Sequence, residues 1–221
     1  MSELSKRKII MDTARILFYE QGYKNTYFDQ IAEKCNISKP LISYHFMSKA
    51  ALAREVHQSY VSDVKNVVSF KVYQYYFNLQ SYDLQVSTAV ELRMSLMMYL
   101  EDENVFRFAK ERADDKYDDF LPPNNESRYE IHDRHNKLDV DEASDELKMI
   151  SNAVPAAGFA VIRSFKAGIY NATIEQCLDF CVSTCFRMMK INESRIQEII
   201  DESKLIIETV KFEIQPYFRV V

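Results

Sequence analysis

Residues 27–49 read YFDQIAEKCNISKPLISYHFMSK, and their spacing predicts two short helices joined by a tight turn, followed by the start of a third. Phe28, Ile31, Ala32 and Cys35 fall on one face of a period-3.6 helix. Thr26 is placed to cap that helix, and Asn36 to end it, because asparagine tolerates the left-handed conformation common at helix C-termini. Ser38 restarts the chain as an N-cap whose hydroxyl accepts a backbone N–H, and Pro40 falls in the first turn, where a missing N–H costs nothing. Ile37, Ile42 and Phe46 then pack inward and leave Lys39, Pro40, Leu41, Ser43, Tyr44 and His45 outside. A helix of one or two turns with so polar an outer face is too short to stand alone. It has the geometry of a helix-turn-helix, whose second helix enters a DNA major groove with its N-terminal residues toward the base edges. Ser48 caps a further helix, and Lys49 in its first turn stands at a positive dipole end suited to a phosphate.

The combined spacing of Gly22, Ile31-Ala32, Ile37-Ser38-Lys39, Tyr44-His45-Phe46 and Ser48-Lys49, within about the first 60 residues, resembles the TetR (tetracycline-repressor-like) family of transcriptional regulators. The resemblance implies that Lys39, Pro40, Leu41 and Tyr44 face the groove, and that Tyr27, Ser43, His45 and Lys49 contact or approach the sugar-phosphate backbone. Two positions depart from the family pattern. Leu41 stands where a small polar residue is common and offers only apolar contact, for instance to a thymine methyl. Ser43 stands where the family often has Tyr, and its reach is shorter. The resemblance further implies a ligand-responsive regulator, usually a repressor, that binds a palindromic double-stranded DNA operator as a homodimer. A small-molecule effector in the larger domain would tilt the connecting helix and change the spacing of the two reading heads.

Composition agrees with a helical chain. Among 221 residues, 47% are hydrophobic, with Gly 3 and Pro 5, enough apolar content for a core and few helix breakers. The net charge of −5 is unevenly divided. Residues 1–65 hold ten Lys/Arg against seven Asp/Glu, a surplus of three, so the remainder carries −8. A basic head on an acidic body fits a DNA reader, because the local patch sets phosphate attraction. No run of about 18 apolar residues occurs and MSELSKRKII has no signal-peptide core. The expectation is a soluble, cytoplasmic protein without a membrane partner.

The fold class expected is all-α: a helix-turn-helix domain over residues 1–48, a connecting helix over 49–72, and a ligand-binding and dimerisation domain over 73–221. The first helix carries Ile10, Ala14, Leu17 and Phe18 as a stripe and stops at Gly22, with Lys6, Arg7 and Lys8 a solvated start or a DNA contact. The connecting helix repeats Leu52, Val56, Tyr60, Val64 and Val67. A loop is expected over Ser69–Leu84, with Asp83 capping a buried helix to Leu100. Another helix covers Asn104–Phe120, and Pro122-Pro123 marks a loop. An apolar helix from about Ala143 is expected to be interrupted near Pro155. Thr173 and Gln176 form a capping box opening the helix to Ile191, and Asn192 caps the last one, with Ile196, Ile199, Ile200, Ile206, Ile207 and Val210 as its apolar face. By the resemblance, the last two helices pair with their copies across the dimer.

Several clusters invite chemistry. Cys177, Cys181 and Cys185 share one helix face and suit either core packing or a soft-metal or redox role. His132 and His135 are half of a metal site at most, and no metal site or cofactor is expected. Phosphate loops, dinucleotide fingerprints, H-E-x-x-H and G-x-S-x-G are missing, so no catalytic residue is assigned and the chain is not expected to be an enzyme. An effector pocket would be mostly apolar. Met97, Phe106, Tyr117, Phe159 and Arg163 are its candidates, Arg163 because a cation in so apolar a helix needs a partner. The competing function is a helical small-molecule-binding or adaptor protein with a vestigial helix-turn-helix.

Overall fold

The computed structural model describes residues 3–77, 79–115 and 145–221. The described chain is helical: α1 (Glu3–Gln21), α2 (Phe28–Cys35), α3 (Lys39–His45), α4 (Lys49–Phe77), α5 (Leu84–Glu101), α6 (Glu103–Asp115), α7 (Glu146–Lys166), α8 (Ile174–Met188) and α9 (Glu193–Val210). A short antiparallel hairpin follows, pairing β1 (Ile214–Gln215) with β2 (Arg219–Val220). His132, His135, Tyr117, Phe120 and Pro122-Pro123 lie outside the described residues.

The head forms as its punctuation dictates. Gly22 ends α1 with φ 85°. Asn36 ends α2 at φ 52°. The Asn36 N–H donates to the Glu33 carbonyl and the Ile37 N–H to the Ala32 carbonyl, at 3.1 and 3.0 Å, a Schellman arrangement that satisfies the last carbonyls. Two expected caps differ. Thr26 is buried and its hydroxyl donates to the Gly22 carbonyl at 2.7 Å. The Tyr27 N–H is instead capped by the Gln30 side chain at 2.9 Å. Ser38 holds the N-cap position of α3 without a side-chain hydrogen bond. Pro40 has no N–H to offer, and the Leu41 N–H donates to the Ser38 carbonyl at 3.0 Å. Ser48 does cap α4, accepting from the Ala51 N–H at 3.0 Å.

Helix α4 continues to Phe77, through most of the segment expected as a loop. The reason is an unbroken stripe of buried residues four apart, Leu52, Val56, Tyr60, Val64, Val68, Val72 and Tyr76, which carries the helix past its exposed aromatics. Asp83 caps α5 as expected, accepting from the Val86 N–H at 3.0 Å. Helix α7 runs through Pro155 without a break. Gly158 lets α7 approach α5 closely, since a methyl there would sit 3.2 Å from Leu96 Cδ2. The α8 capping box is present, with the Thr173 N–H donating to Gln176 Oε1 at 2.8 Å and the Gln176 N–H to Thr173 Oγ1 at 3.1 Å.

The last helix buries most of its apolar face inside its own chain. Ile196, Ile199, Ile200 and Ile206 are buried within the same chain, with α9 packed against α5 and α4. Exposed apolar side chains lie on all three of the last helices, Met149 on α7, Ile174 and Phe180 on α8 and Leu205 on α9.

The hairpin closes the molecule against α1, α4 and α6. Phe218 is fully buried, stacked on Tyr60 at 4.7 Å and edge-on to Tyr19 and Phe108 at 5.4 and 5.3 Å. Arg15 of α1 donates to the Tyr217 and Phe218 carbonyls at 3.0 and 2.9 Å and pairs with Asp63. Beneath the plug, burial and the neighbouring Arg112 charge hold the buried His57 well below the ordinary histidine value, so it is neutral in the fold.

Phe218→Ala is expected to lower unfolding free energy by about 3–5 kcal/mol, measured by urea denaturation. His57, depressed in the folded state, contributes stability that is present above the unfolded histidine value near 6.5 and is lost as pH falls below it. His57→Gln should flatten that acid slope in thermal melts between about pH 6.5 and 5.

Candidate nucleic-acid interface

The predicted groove-facing residues are outside. Lys39, Pro40 and Ser43 are exposed and Leu41 half-buried, while Tyr44 is 71% exposed. Ile42 and Phe46 are buried beneath them, which fixes which side of α3 faces out. Tyr27, 56% exposed, stands at the start of α2. Lys39 Nζ lies 2.9 Å from Asp29 Oδ2, and both side chains are largely exposed. Such a pair is weak and exchanges readily for another anion.

Two predicted backbone-contacting residues are turned inward. The half-buried His45 ring lies between Tyr44 and Phe46, at 5.3 and 6.4 Å, with Nε2 buried. Lys49 Nζ donates to the Tyr23 and Lys24 carbonyls at 2.9 and 3.3 Å and sits over the Tyr23 and Tyr27 rings at 4.4 and 5.2 Å. Burial holds its ammonium below the ordinary lysine value, against the opposing pull of the Asp115 and Glu111 carboxylates. Lys49 thus fastens the α1–α2 turn to the start of α4. Arg7 of the basic N-terminal triplet is likewise engaged, with Glu55 and over the Phe46 ring at 4.8 Å.

Behind the head, α6 is laced to the end of α1. Arg107 Nη2 donates to the Tyr19 and Glu20 carbonyls at 2.9 and 3.0 Å, a cation at a helix C-terminus. The Lys24 N–H donates to Glu111 at 2.8 Å, the Tyr23 hydroxyl to Asp115 at 2.7 Å and the Tyr19 hydroxyl to Asp102 at 2.9 Å.

This arrangement has known counterparts. The profile of "Bacterial regulatory proteins, tetR family" matches residues 10–56, the span from the α1 stripe to the start of α4. The helix-turn-helix head of this chain is thus similar to that of tetR-family proteins. An uncharacterized HTH-type transcriptional regulator of Bacillus subtilis (strain 168), YuxN, is 45% identical over 47 residues, or 21% of this chain and 16% of that protein. The fold extends further than the sequence match. RolR in complex with resorcinol superposes with a TM-score of 0.59 at 16% identity, over 90% of this chain and 94% of RolR. TylP, a tetR regulator from Streptomyces fradiae, gives 0.50 at 13%, over 96% of this chain and 100% of TylP.

In the body, Phe106 and Phe159 meet at 6.2 Å, with Tyr99 edge-on to Phe159 at 5.4 Å. Met97 is half-buried on α5. Arg163 is 44% exposed and pairs with Asp114 at 2.9 Å, bridging α7 to α6. Among the described residues, the most deeply buried cation is one the sequence reading passed over. Arg93 is 1% exposed, donates to Ser203 at 3.0 Å and pairs with Asp179 and Glu175, pinning α5 to α8 and α9. Its position between Leu92 and Met94 carried the signal used for Arg163.

Cys177 and Cys181 pack with Leu96, Ile162 and Leu178, and Cys185 joins the main core. Burial pushes the Cys181 thiol up to about 12, so it is neither a thiolate nucleophile nor a ready metal ligand at neutral pH. Among the described residues no group of three or more His, Cys, Asp or Glu is placed to hold a metal, and no helix is long and apolar enough to cross a membrane. With a thiol reagent at pH 8, the native protein is expected to label at Cys35 at most, and at Cys177, Cys181 and Cys185 only after unfolding. Rapid native labelling of α8 would show that these thiols are not core.

Proposed function

We propose that this protein is a ligand-responsive transcriptional regulator that binds a palindromic operator as a homodimer and acts as a repressor in the cytoplasm. The observation that carries the reading is the outward face of α3, from Lys39 to Tyr44, on a tetR-family head. The exposed Ile174 and Phe180 of α8 and Leu205 of α9, with Met149 of α7 beside them, support the last helices as the subunit interface, faces that two-fold symmetry would bring together. Two-fold symmetry puts the half-sites about 34–36 Å apart, or a multiple of that.

RolR binds resorcinol, and the similar fold supports a small-molecule effector here. Met97, Phe106, Phe159 and Arg163 are the proposed residues of its site. Phe106 stands on α6, whose other residues hold the end of α1. An effector that binds a displaced α6 more tightly would shift the population toward dimers whose heads no longer fit the operator. In this scheme Lys39, Pro40, Leu41 and Tyr44 face bases, Tyr27 and Ser43 approach the backbone, and His45 and Lys49 act mainly by holding the head together.

The test selects duplexes from a randomised library, using the full-length protein refolded to remove any carried effector, beside Tyr44→Ala. Tyr44 is chosen over Lys49 because its ring is 71% exposed and meets the edge of its neighbour His45, whereas Lys49 fastens the α1–α2 turn to α4. Recovery of a palindrome by the native protein, lost or at least tenfold weaker in the variant and falling steeply with salt, is expected. A correctly folded protein that enriches no sequence would favour the adaptor reading, to which the internal engagement of Lys49 and Arg7 lends support.

A further inference from the structure

The groups α3 can present to a base pair form a short inventory. Its sequence, KPLISYH, contains no Arg, Asn, Gln, Asp or Glu. The side chains that read purines by two hydrogen bonds, Arg for guanine and Asn or Gln for adenine, are therefore missing, as are the carboxylates that accept from cytosine. Pro40 has no side-chain donor, and His45 is packed between its neighbours. Ser43 can bond any base and so distinguishes little. Lys39 is the one α3 side chain suited to a bidentate contact with guanine, once released from Asp29. Gln30 on α2 is committed, its Oε1 accepting from the Tyr27 N–H and from Gln21 Nε2, both at 2.9 Å.

What the head does present is apolar surface. Leu41 and Tyr44 lie one turn apart on the outer side of α3. Met47, at the corner between α3 and α4, is 94% exposed. Leu41, Tyr44 and Met47 thus present apolar surface beside the basic start of α3, surface that gains by meeting an apolar partner. The major groove offers one apolar group, the C5-methyl of thymine.

We infer that the operator half-site is recognised chiefly through thymine C5-methyl groups packed against Leu41 and Tyr44 and flanked by Met47, so that the base pairs under α3 are predominantly A·T. This rests on the DNA-reading function proposed above. It assigns specificity to van der Waals contact, with Lys39 fixing at most one G·C pair.

The experiment takes the half-site recovered by selection and rebuilds it with deoxyuridine at each thymidine in turn, which removes the methyl and leaves the hydrogen-bonding edge intact. Binding of the full-length protein should weaken about fourfold per contacted methyl, the free energy of burying one such group being about 0.8 kcal/mol. The penalty at one position should vanish in Leu41→Ser, and at another in Tyr44→Ser, while uracil outside the half-sites has no effect. Both residues are at the surface, and the uracil series on the native protein needs no variant. Equal binding of thymine and uracil duplexes, or a guanine-rich half-site, would overturn the inference while leaving the regulator reading in place. A uracil penalty unchanged in both variants would overturn it too, because the methyl would then act through DNA stiffness. Failure to recover any half-site would remove the DNA-reading function and this inference with it.

Discussion

The buried stripe of α4, from Leu52 to Tyr76, is the constraint on which the rest depends. One helix supplies the floor of the head through Leu52 and Val56 and the wall of the body through Val64, Val68 and Val72, and the apolar cluster is continuous from Ile10 and Ile42 to Met94 and Ile199. Close-packed interiors transmit displacement. The head therefore cannot pivot on a loose linker, and its orientation is set by what packs on α4. Two features reinforce this. Helix α6 holds the end of α1 through Arg107, Glu111 and Asp115, and the C-terminal hairpin inserts Phe218 where α1, α4 and α6 meet.

Polar groups buried beside this stripe serve registry more than net stability. Arg93 is taken out of water and meets Ser203, Asp179 and Glu175 from two other helices. A buried charge satisfied from several directions gains little over an apolar residue, but its loss of any partner is costly. The arrangement penalises a slip of α8 or α9 along α5 more than an all-leucine contact would. Tyr76 and Glu202, joined at 2.6 Å, do the same at the far end of α4.

The helix-turn-helix was legible because its spacing is rigid: a left-handed Asn36, a proline two positions into α3, and apolar residues that must point inward. The all-helical class and most caps followed from the same local chemistry. What escaped was non-local. The Ser69–Phe77 segment looks like a loop by its aromatics, and only the buried partners of Val72 and Tyr76 show why it stays helical. The hairpin has no Gly or Asn at its turn, and Tyr217 and Phe218 adopt φ of 63° and 60° because the Phe218 pocket and the Arg15 bonds hold them there. Allocation of α9 to the core could not be read from its own isoleucines, since a core face and a subunit face have the same pattern. At the site, exposure of Lys39 to Tyr44 was legible from the inward positions of Ile42 and Phe46. The inward turn of Lys49 was not, because it depends on carbonyls 26 and 25 residues away.

The basic surplus of the head changes meaning once its partners are known. Arg7, Arg15 and Lys49 bind groups inside the protein and keep its geometry. Lys39 with Asp29 and Lys34 with Glu20, at 2.9 and 4.0 Å, are exposed pairs worth about 0–1 kcal/mol, so these lysines can trade a carboxylate for a phosphate at little cost. Sequence charge therefore overstates the cations available to DNA, because half-buried ones are already serving as fold contacts. Three of the ten cations in residues 1–65 are engaged in this way, and on the proposed function the remainder supply the salt-sensitive attraction to which the apolar face of α3 adds methyl contact.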